Sequence, residues 1–257
     1  MKKRTLRSTV FSCFLYALCI VPFVYVLISS FQNAQGKLTL QYYYAVFIGQ
    51  SQYLFRFWKS VGLSVCIALG QLAVSALAGY GFAKHRFPGK NTLFFILMIL
   101  MILPLQVTLM PNYIVLEKGN LLNTYWALAL PAIILPLGTF IMTQSFRSVP
   151  GSVIEAARLD GCSLPTVLFR VVFPMNQNAL ICTFLLSFLD AWNMVEQPIT
   201  YLKDFSNYPI AVALASVPPG DPTVLLTCCV LVTLPPLFLF AFFNRELAEG
   251  IALGGEK

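Results

Sequence analysis

Three sets of residues in this 257-residue chain have types and spacings that could do chemistry. In the run FLDAWNMVEQP, Asp190, Trp192, Asn193 and Glu196 bring two carboxylates, an indole and a carboxamide together after a long uncharged stretch. Such groups suit hydrogen bonding and stacking around a polar solute. Earlier, Glu155, Ala156, Ala157, Arg158, Asp160 and Gly161 combine charges, two small residues and a glycine suited to a turn, with no nucleophile among them. The third set is seven cysteines and a single histidine, His85. None of the cysteines forms a C-x-x-C pair, so neither a zinc site nor a Cys/His catalytic centre is expected. Cys13, Cys19, Cys66, Cys182, Cys228 and Cys229 fall in apolar stretches, where they read as small packing residues; Cys162 lies in a polar connection. His85, between Lys84 and Arg86, reads as a membrane-exit residue facing headgroups. No G-x-x-x-x-G-K-[ST] phosphate loop occurs, so ATP is not expected to bind here. An intramembrane enzyme would need a convergent nucleophile, base or metal set, and the sequence offers none.

The elements that must carry these residues follow from composition. Apolar residues make up 58% of the chain and charged ones 11%, with a mean hydropathy of +0.76. A soluble domain is about a quarter charged, so the natural solvent of most of this chain is lipid. The net charge of +7 could suggest nucleic acid, but that needs an exposed basic face with interleaved polar groups, and none is present. Six stretches of at least 18 residues lack Asp, Glu, Lys and Arg: 8–36, 60–83, 91–116, 119–146, 171–189 and 222–244. A helix needs about 20 apolar residues to cross a bilayer. The expected fold is therefore an all-α integral membrane protein with six transmembrane helices. A secretory signal would also begin like MKKRTLR, but the apolar core that follows is too long and no A-x-A site follows it; an uncleaved helix is expected. A seventh uncharged stretch, 205–220, is short and contains Pro209, Pro218 and Pro219, and reads as a loop at the membrane surface.

Basic residues collect on the cytoplasmic side. With the N-terminus inside, inner segments hold twelve Lys and Arg against five acidic residues, and outer segments hold five of each. The expected topology is N-in and C-in. Prolines interrupt the stretches at Pro22, Pro104, Pro111, Pro131, Pro136, Pro235 and Pro236. Each removes an amide donor, and the freed carbonyls must meet protein or cavity water; kinked helices around an aqueous path, including Pro131 and Pro136, are one reading and plain packing is the other. Ser75, Gly79 and Ala83 form a small-residue stripe for a contact within this chain or with another subunit. Asp190 lies about 20 Å along a helix beginning near Asn176. A carboxylate at that depth costs at least about 2.5 kcal/mol unless it faces water or a partner. It either lines a solute pathway with Trp192 and Asn193 or pairs with a neighbouring helix.

The connection at 147–174 has structure of its own. Ser152 is a candidate N-cap with Glu155 completing a capping box. Gly161 suits the left-handed C′ position. A second helix can start at Ser163 with Pro165 in its first turn.

Glu155-Ala156-Ala157, three residues, Gly161, nine residues, then Val171-Val172-Phe173-Pro174 resembles the EAA loop, EAA-x3-G-x9-I-x-L-P, of the membrane subunits of binding-protein-dependent ABC importers. Val171 and Phe173 replace the usual Ile and Leu. LAGYGFAKHRFPGK, MILPLQVTLMPNYIVLEKGNLLNTYWALALP, DAWN and NRELAEGI are similar to the carbohydrate-importer permeases of the maltose-transporter type, over roughly residues 55 to 250. The resemblance implies segments at 1–54 (first helix and extracytoplasmic connection), 55–245 (permease core) and 246–257 (cytoplasmic tail), in a bacterial cytoplasmic membrane. It implies a second, similar permease as heterodimer partner, two cytoplasmic ATPase subunits that bind ATP and Mg, an extracytoplasmic solute-binding protein, and a sugar or related polar solute. This chain itself would bind no cofactor. Glu155, Ala156, Ala157, Arg158, Asp160 and Gly161 would form the ATPase-coupling surface. The tail, GIALGGEK, departs from the family's GAVKG-like ending. The alternative is a stand-alone secondary transporter or channel with Asp190 in its pathway; the absence of an internal repeat weighs against it, and it leaves the EAA spacing unexplained.

Overall fold

In lipid a backbone can satisfy its polar groups only within a helix or a closed barrel, and long runs of Leu, Ile, Phe and Ala lead to the first. The computed structural model describes residues 6–32, 36–46, 51–215 and 222–255, and nearly all of these are helical. In chain order the helices are α1 (Leu6–Ser30), α2 (Gln41–Tyr44), α3 (Ser51–Lys84), α4 (Lys90–Ile102), α5 (Leu105–Lys118), α6 (Tyr125–Ile133), α7 (Pro136–Arg147), α8 (Gly151–Leu159), α9 (Leu164–Val167), α10 (Phe173–Met175), α11 (Gln177–Trp192), α12 (Glu196–Tyr201), α13 (Ile210–Ala215) and α14 (Pro222–Gly255). A π-helical segment, Leu168–Val172, joins α9 to α10. The side chain of Cys13, the basic residues 2–4, residues 33–35 of the first stretch and residues 256–257 of the tail lie outside the described residues.

Helix α3 is the axis of the molecule. It packs along α6, α7 and α11, while α11 packs along α14 and α14 along α1. Small residues let α3 and α7 approach: a Cβ at Gly79 would stand 2.7 Å from the Met142 Cβ, and one at Gly138 would press on Ser75 Oγ. The stripe of Ser75, Gly79 and Ala83 is thus used within this chain, with Ser75 buried and Ala83 packed on the core around Met142 and Phe146. Outward, α1 and α14 present bare apolar faces that include Phe14, Phe23, Phe238 and Phe242, an extent of exposed apolar surface that calls for lipid or another subunit.

Tyr53–Lys84, Tyr125–Arg147 and Thr223–Ala248 are each long and apolar enough to cross a membrane; they fall in the second, fourth and sixth expected stretches. The described apolar part of α1, Phe14–Ser30, is shorter. Two stretches depart from straight spans. At 91–116 the chain turns through 107° between α4 and α5. At 171–189 it turns through 86° between Leu164–Met175 and Gln177–Trp192, so residues 171–175 belong with the preceding loop helices and only α11 continues the span.

The breaks have local causes. A residue before proline is pushed out of the α region, and Leu103 and Leu135 both take extended ψ values, 129° and 134°. The first ends α4 ahead of Pro104, and the second separates α6 from α7 ahead of Pro136. Pro22, Pro111, Pro235 and Pro236 stay inside their helices. The departure from helical geometry in α14 is at Phe243 instead. The stretch expected to begin at Gly119 starts its helix only at Tyr125, after a turn in which Asn120 and Asn123 have φ of 52° and 62°. The stretch 205–220, read as a surface loop, is corrected in part: α13 forms within it, Ile210 and Val212 are buried, and the Ile210 amide donates to Ser60 Oγ at 2.8 Å. Residues 216–220 lie outside the described residues.

Candidate functional site

The connection after α7 builds a hairpin from local chemistry. Its base is held where Lys84 Nζ donates to the Val149 carbonyl. Pro150, with φ −62° and ψ 136°, is the N-cap residue of α8, which begins at Gly151. Ser152 is therefore the second helical residue, and neither it nor Glu155 makes a capping bond. The capping box expected from the sequence does not form, because the extended Pro150 already starts the helix ahead of Ser152. The other end follows expectation. Gly161 has φ +80°, its amide donates to Arg158 O at 3.0 Å, and the Cys162 amide donates to Ala157 O at 3.0 Å, the paired bonds of a Schellman motif. Ser163 is the N-cap residue of α9, with Pro165 in the first turn.

The hairpin has two distinct faces. Ile154, Val167, Leu168 and Val172 are buried against Tyr80, Met142, Phe146 and Ala179, and Ala157 packs against the same cluster. Glu155, Ala156, Arg158, Asp160 and Gly161 face outward. So does Leu159, 89% exposed, which the motif reading did not include. Its signal was available: at about 100° per residue, Leu159 lies nearly opposite Ala157. Behind the hairpin, Asn176 holds the 86° bend. Its Oδ1 accepts from Ser145 Oγ at 2.6 Å and its Nδ2 donates to Val172 O at 2.7 Å, both bonds buried.

The second site is a cavity of about 560 Å³ bounded by α3 to α7, α11 and α12. Asp190, Asn193, Pro131 and Pro136 line it, as does Glu196. Asp190 and Asn193 are exposed, and Asp190 has no hydrogen-bond or ion-pair partner among the described residues. The neighbouring-helix pair considered from the sequence is therefore not formed among the described residues. Gln106 Nε2 donates to both oxygens of Glu196, at 2.9 and 3.1 Å. Trp192 is a correction. It does not line the cavity; it is 1% exposed, stacked on Phe188 with its edge toward Phe57, and its Nε1 donates to Val232 O at 3.2 Å. Two positions separate it from Asp190, about 200° around a helix, which carries the indole to the α14 side.

Sequence reasoning missed Gln71, Asn112 and Gln197 in the same lining. Gln71 alone had a signal, as the one carboxamide in the long apolar run of α3. It is 3% exposed and its Nε2 donates at 3.3 Å to the carbonyl of Leu135, the residue at the break between α6 and α7. The same side chain thus satisfies a backbone acceptor at an interrupted helix and faces the cavity.

Broken helices thus bound a mainly apolar cavity into which two carboxylates and several carboxamides project. The chain belongs to the family of binding-protein-dependent transport system inner membrane components, which matches residues 71–251. It is 31% identical over 225 residues, 86% of this chain and 81% of the relative, to the arabinooligosaccharides transport system permease protein AraQ of Halalkalibacterium halodurans. It is 26% identical over 287 aligned positions, spanning both chains in full, to the polygalacturonan/rhamnogalacturonan transport system permease protein YtcP of Bacillus subtilis. It is 28% identical over 198 residues, 75% of this chain and 70% of the relative, to the sn-glycerol-3-phosphate transport system permease protein UgpE of Yersinia pestis. The fold matches a chain in the crystal structure of a bacterial ABC transporter involved in the import of the acidic polysaccharide alginate, with a TM-score of 0.81, 18% identity and coverage of 95% and 99% of the two chains. This chain is a membrane-embedded permease subunit of an ABC importer, and not an enzyme.

Proposed function

We propose that this chain forms one half of the translocation pathway for a carbohydrate or related polyhydroxylated solute. The observation that carries the solute class is the cavity beside Asp190, where carboxylates and carboxamides converge among broken helices; it agrees with relatives named for an arabinooligosaccharide and a polygalacturonan. Six spans with both ends in the cytoplasm are supported by the charge distribution, which puts the whole basic excess on one side. In that topology the hairpin at 151–175 lies on the cytoplasmic side of a bacterial plasma membrane. There it docks in a groove on one of the two ATPase subunits, which bind ATP and Mg. A second permease supplies the other wall of the pathway, and an extracytoplasmic binding protein delivers solute.

Glu155 supplies the charged contact of the hairpin, flanked by Arg158 and Asp160, with Leu159 as its apolar neighbour. Because Glu155 makes no capping bond, replacing it with Gln removes charge alone. In the assembled importer, Glu155→Gln is expected to lower solute-stimulated ATP hydrolysis and uptake at least about fivefold, while the monodispersity and Tm of the purified complex stay unchanged. Full uptake and full coupling in that variant would remove the charged docking role.

A further inference from the structure

We infer that the solute taken through this cavity is uncharged, and that Asp190 and Glu196 discriminate against acidic saccharides. The inference rests on the carbohydrate reading above and narrows it. Family membership leaves the question open, since the relatives are named for a neutral arabinooligosaccharide on one side and for a polygalacturonan and a glycerol phosphate, both anionic at neutral pH, on the other.

The lining decides between them. Two carboxylates, Asp190 and Glu196, face the cavity, and no Lys, Arg or His is among its described lining residues. Neither carboxylate has a cationic partner among the described residues: Asp190 has no partner there, and the Glu196 side chain is met there by the neutral amide of Gln106. An ionised carboxylate accepts hydrogen bonds and cannot donate them. A sugar hydroxyl supplies the missing donor, and its oxygen can accept in turn from the carboxamides of Gln71, Asn112 and Asn193. A uronate or phosphate brings further acceptors and a like charge instead.

The test uses the complete importer, reconstituted in proteoliposomes with its partner permease, ATPases and binding protein. Radiolabelled arabinotriose, trigalacturonate and sn-glycerol 3-phosphate are offered separately. The wild-type complex is expected to take up the neutral sugar about tenfold or more faster than either anion, the scale that like charges within several ångströms would produce. In Asp190→Asn, and independently in Glu196→Gln, the anion-to-neutral uptake ratio is expected to rise at least threefold. The binding protein is identical in every arm, so a change in the ratio belongs to the permease. Preferential uptake of an anion by wild type overturns the inference and leaves the carbohydrate reading standing if that anion is trigalacturonate. An unchanged ratio in both variants, each confirmed intact by size exclusion with its partners, also overturns it. Uptake of neither saccharide overturns the carbohydrate reading itself and this inference with it.

Discussion

The hairpin and the cavity lie at opposite ends of α11 and are built by different means. The hairpin is continuous in sequence. Pro150 starts it, Gly161 turns it and Ser163 restarts it, and its inner face then packs as a unit on Tyr80, Met142 and Phe146. The cavity draws its walls from residues as far apart in sequence as Ile67 and Tyr201, and part of its boundary exists because the chain breaks ahead of Pro104 and Pro136. One region is a compact element that can move as a piece. The other is a space between pieces, so its shape depends on how those pieces are held. Rigid-body shifts at packed interfaces are a common route for such coupling, and the α3–α7 contact and the Asn176 clamp are where the two regions meet.

That contrast can be broken most severely at the shared contact. Gly79→Leu puts a branched side chain where even a Cβ would come within 2.7 Å of Met142. Overpacking of this kind costs about 3 kcal/mol. The expected outcome is loss of folded complex, measured as monodisperse yield and Tm in detergent; a variant with wild-type Tm would show that α3 and α7 are not the common support. Asn176→Ala should separate the regions. It removes two buried hydrogen bonds and leaves Ser145 Oγ without its partner, at a cost of about 1–3 kcal/mol. Tm should fall and solute-stimulated ATP hydrolysis should drop several-fold, while solute affinity of the assembled importer changes little. Equal loss of affinity and coupling would argue that hairpin and cavity form one unit. The smallest effect is expected for Ser152→Ala. With no capping bond to lose, its stability should stay within about 0.5 kcal/mol of wild type, whereas a true N-cap would lose about 1 kcal/mol.

Legibility followed the range of the forces involved. Gly161 and Ser163 were readable because a left-handed turn and a helix start are set by the residues at those positions. Ser152 misled, since a good capping residue has no effect once a neighbour has already opened the helix. Prolines marked candidate kinks without ranking them: Pro104 and Pro136 break their stretches, while Pro22, Pro111, Pro235 and Pro236 do not. The break before Pro136 is also held from a distance, by the Gln71 amide that donates to Leu135 O from 64 residues away. The sequence marked Asn176 only as a helix start; its role at the bend depends on Ser145 arriving beside it.

By itself the sequence determined that the chain is helical and lives in lipid, because runs this apolar admit few other ways to satisfy a backbone; the EAA spacing also pointed to the transport family. It grouped Asp190, Asn193, Pro131 and Pro136, which line one cavity in the structure. Only the tertiary structure decided that Trp192 leaves that group for the core while Gln71, Asn112 and Gln197 join it. Backbone preferences act over a few residues and set where helices start and stop. Which face of a helix meets a cavity depends on the surfaces of its neighbours, and those are assembled only when distant segments pack.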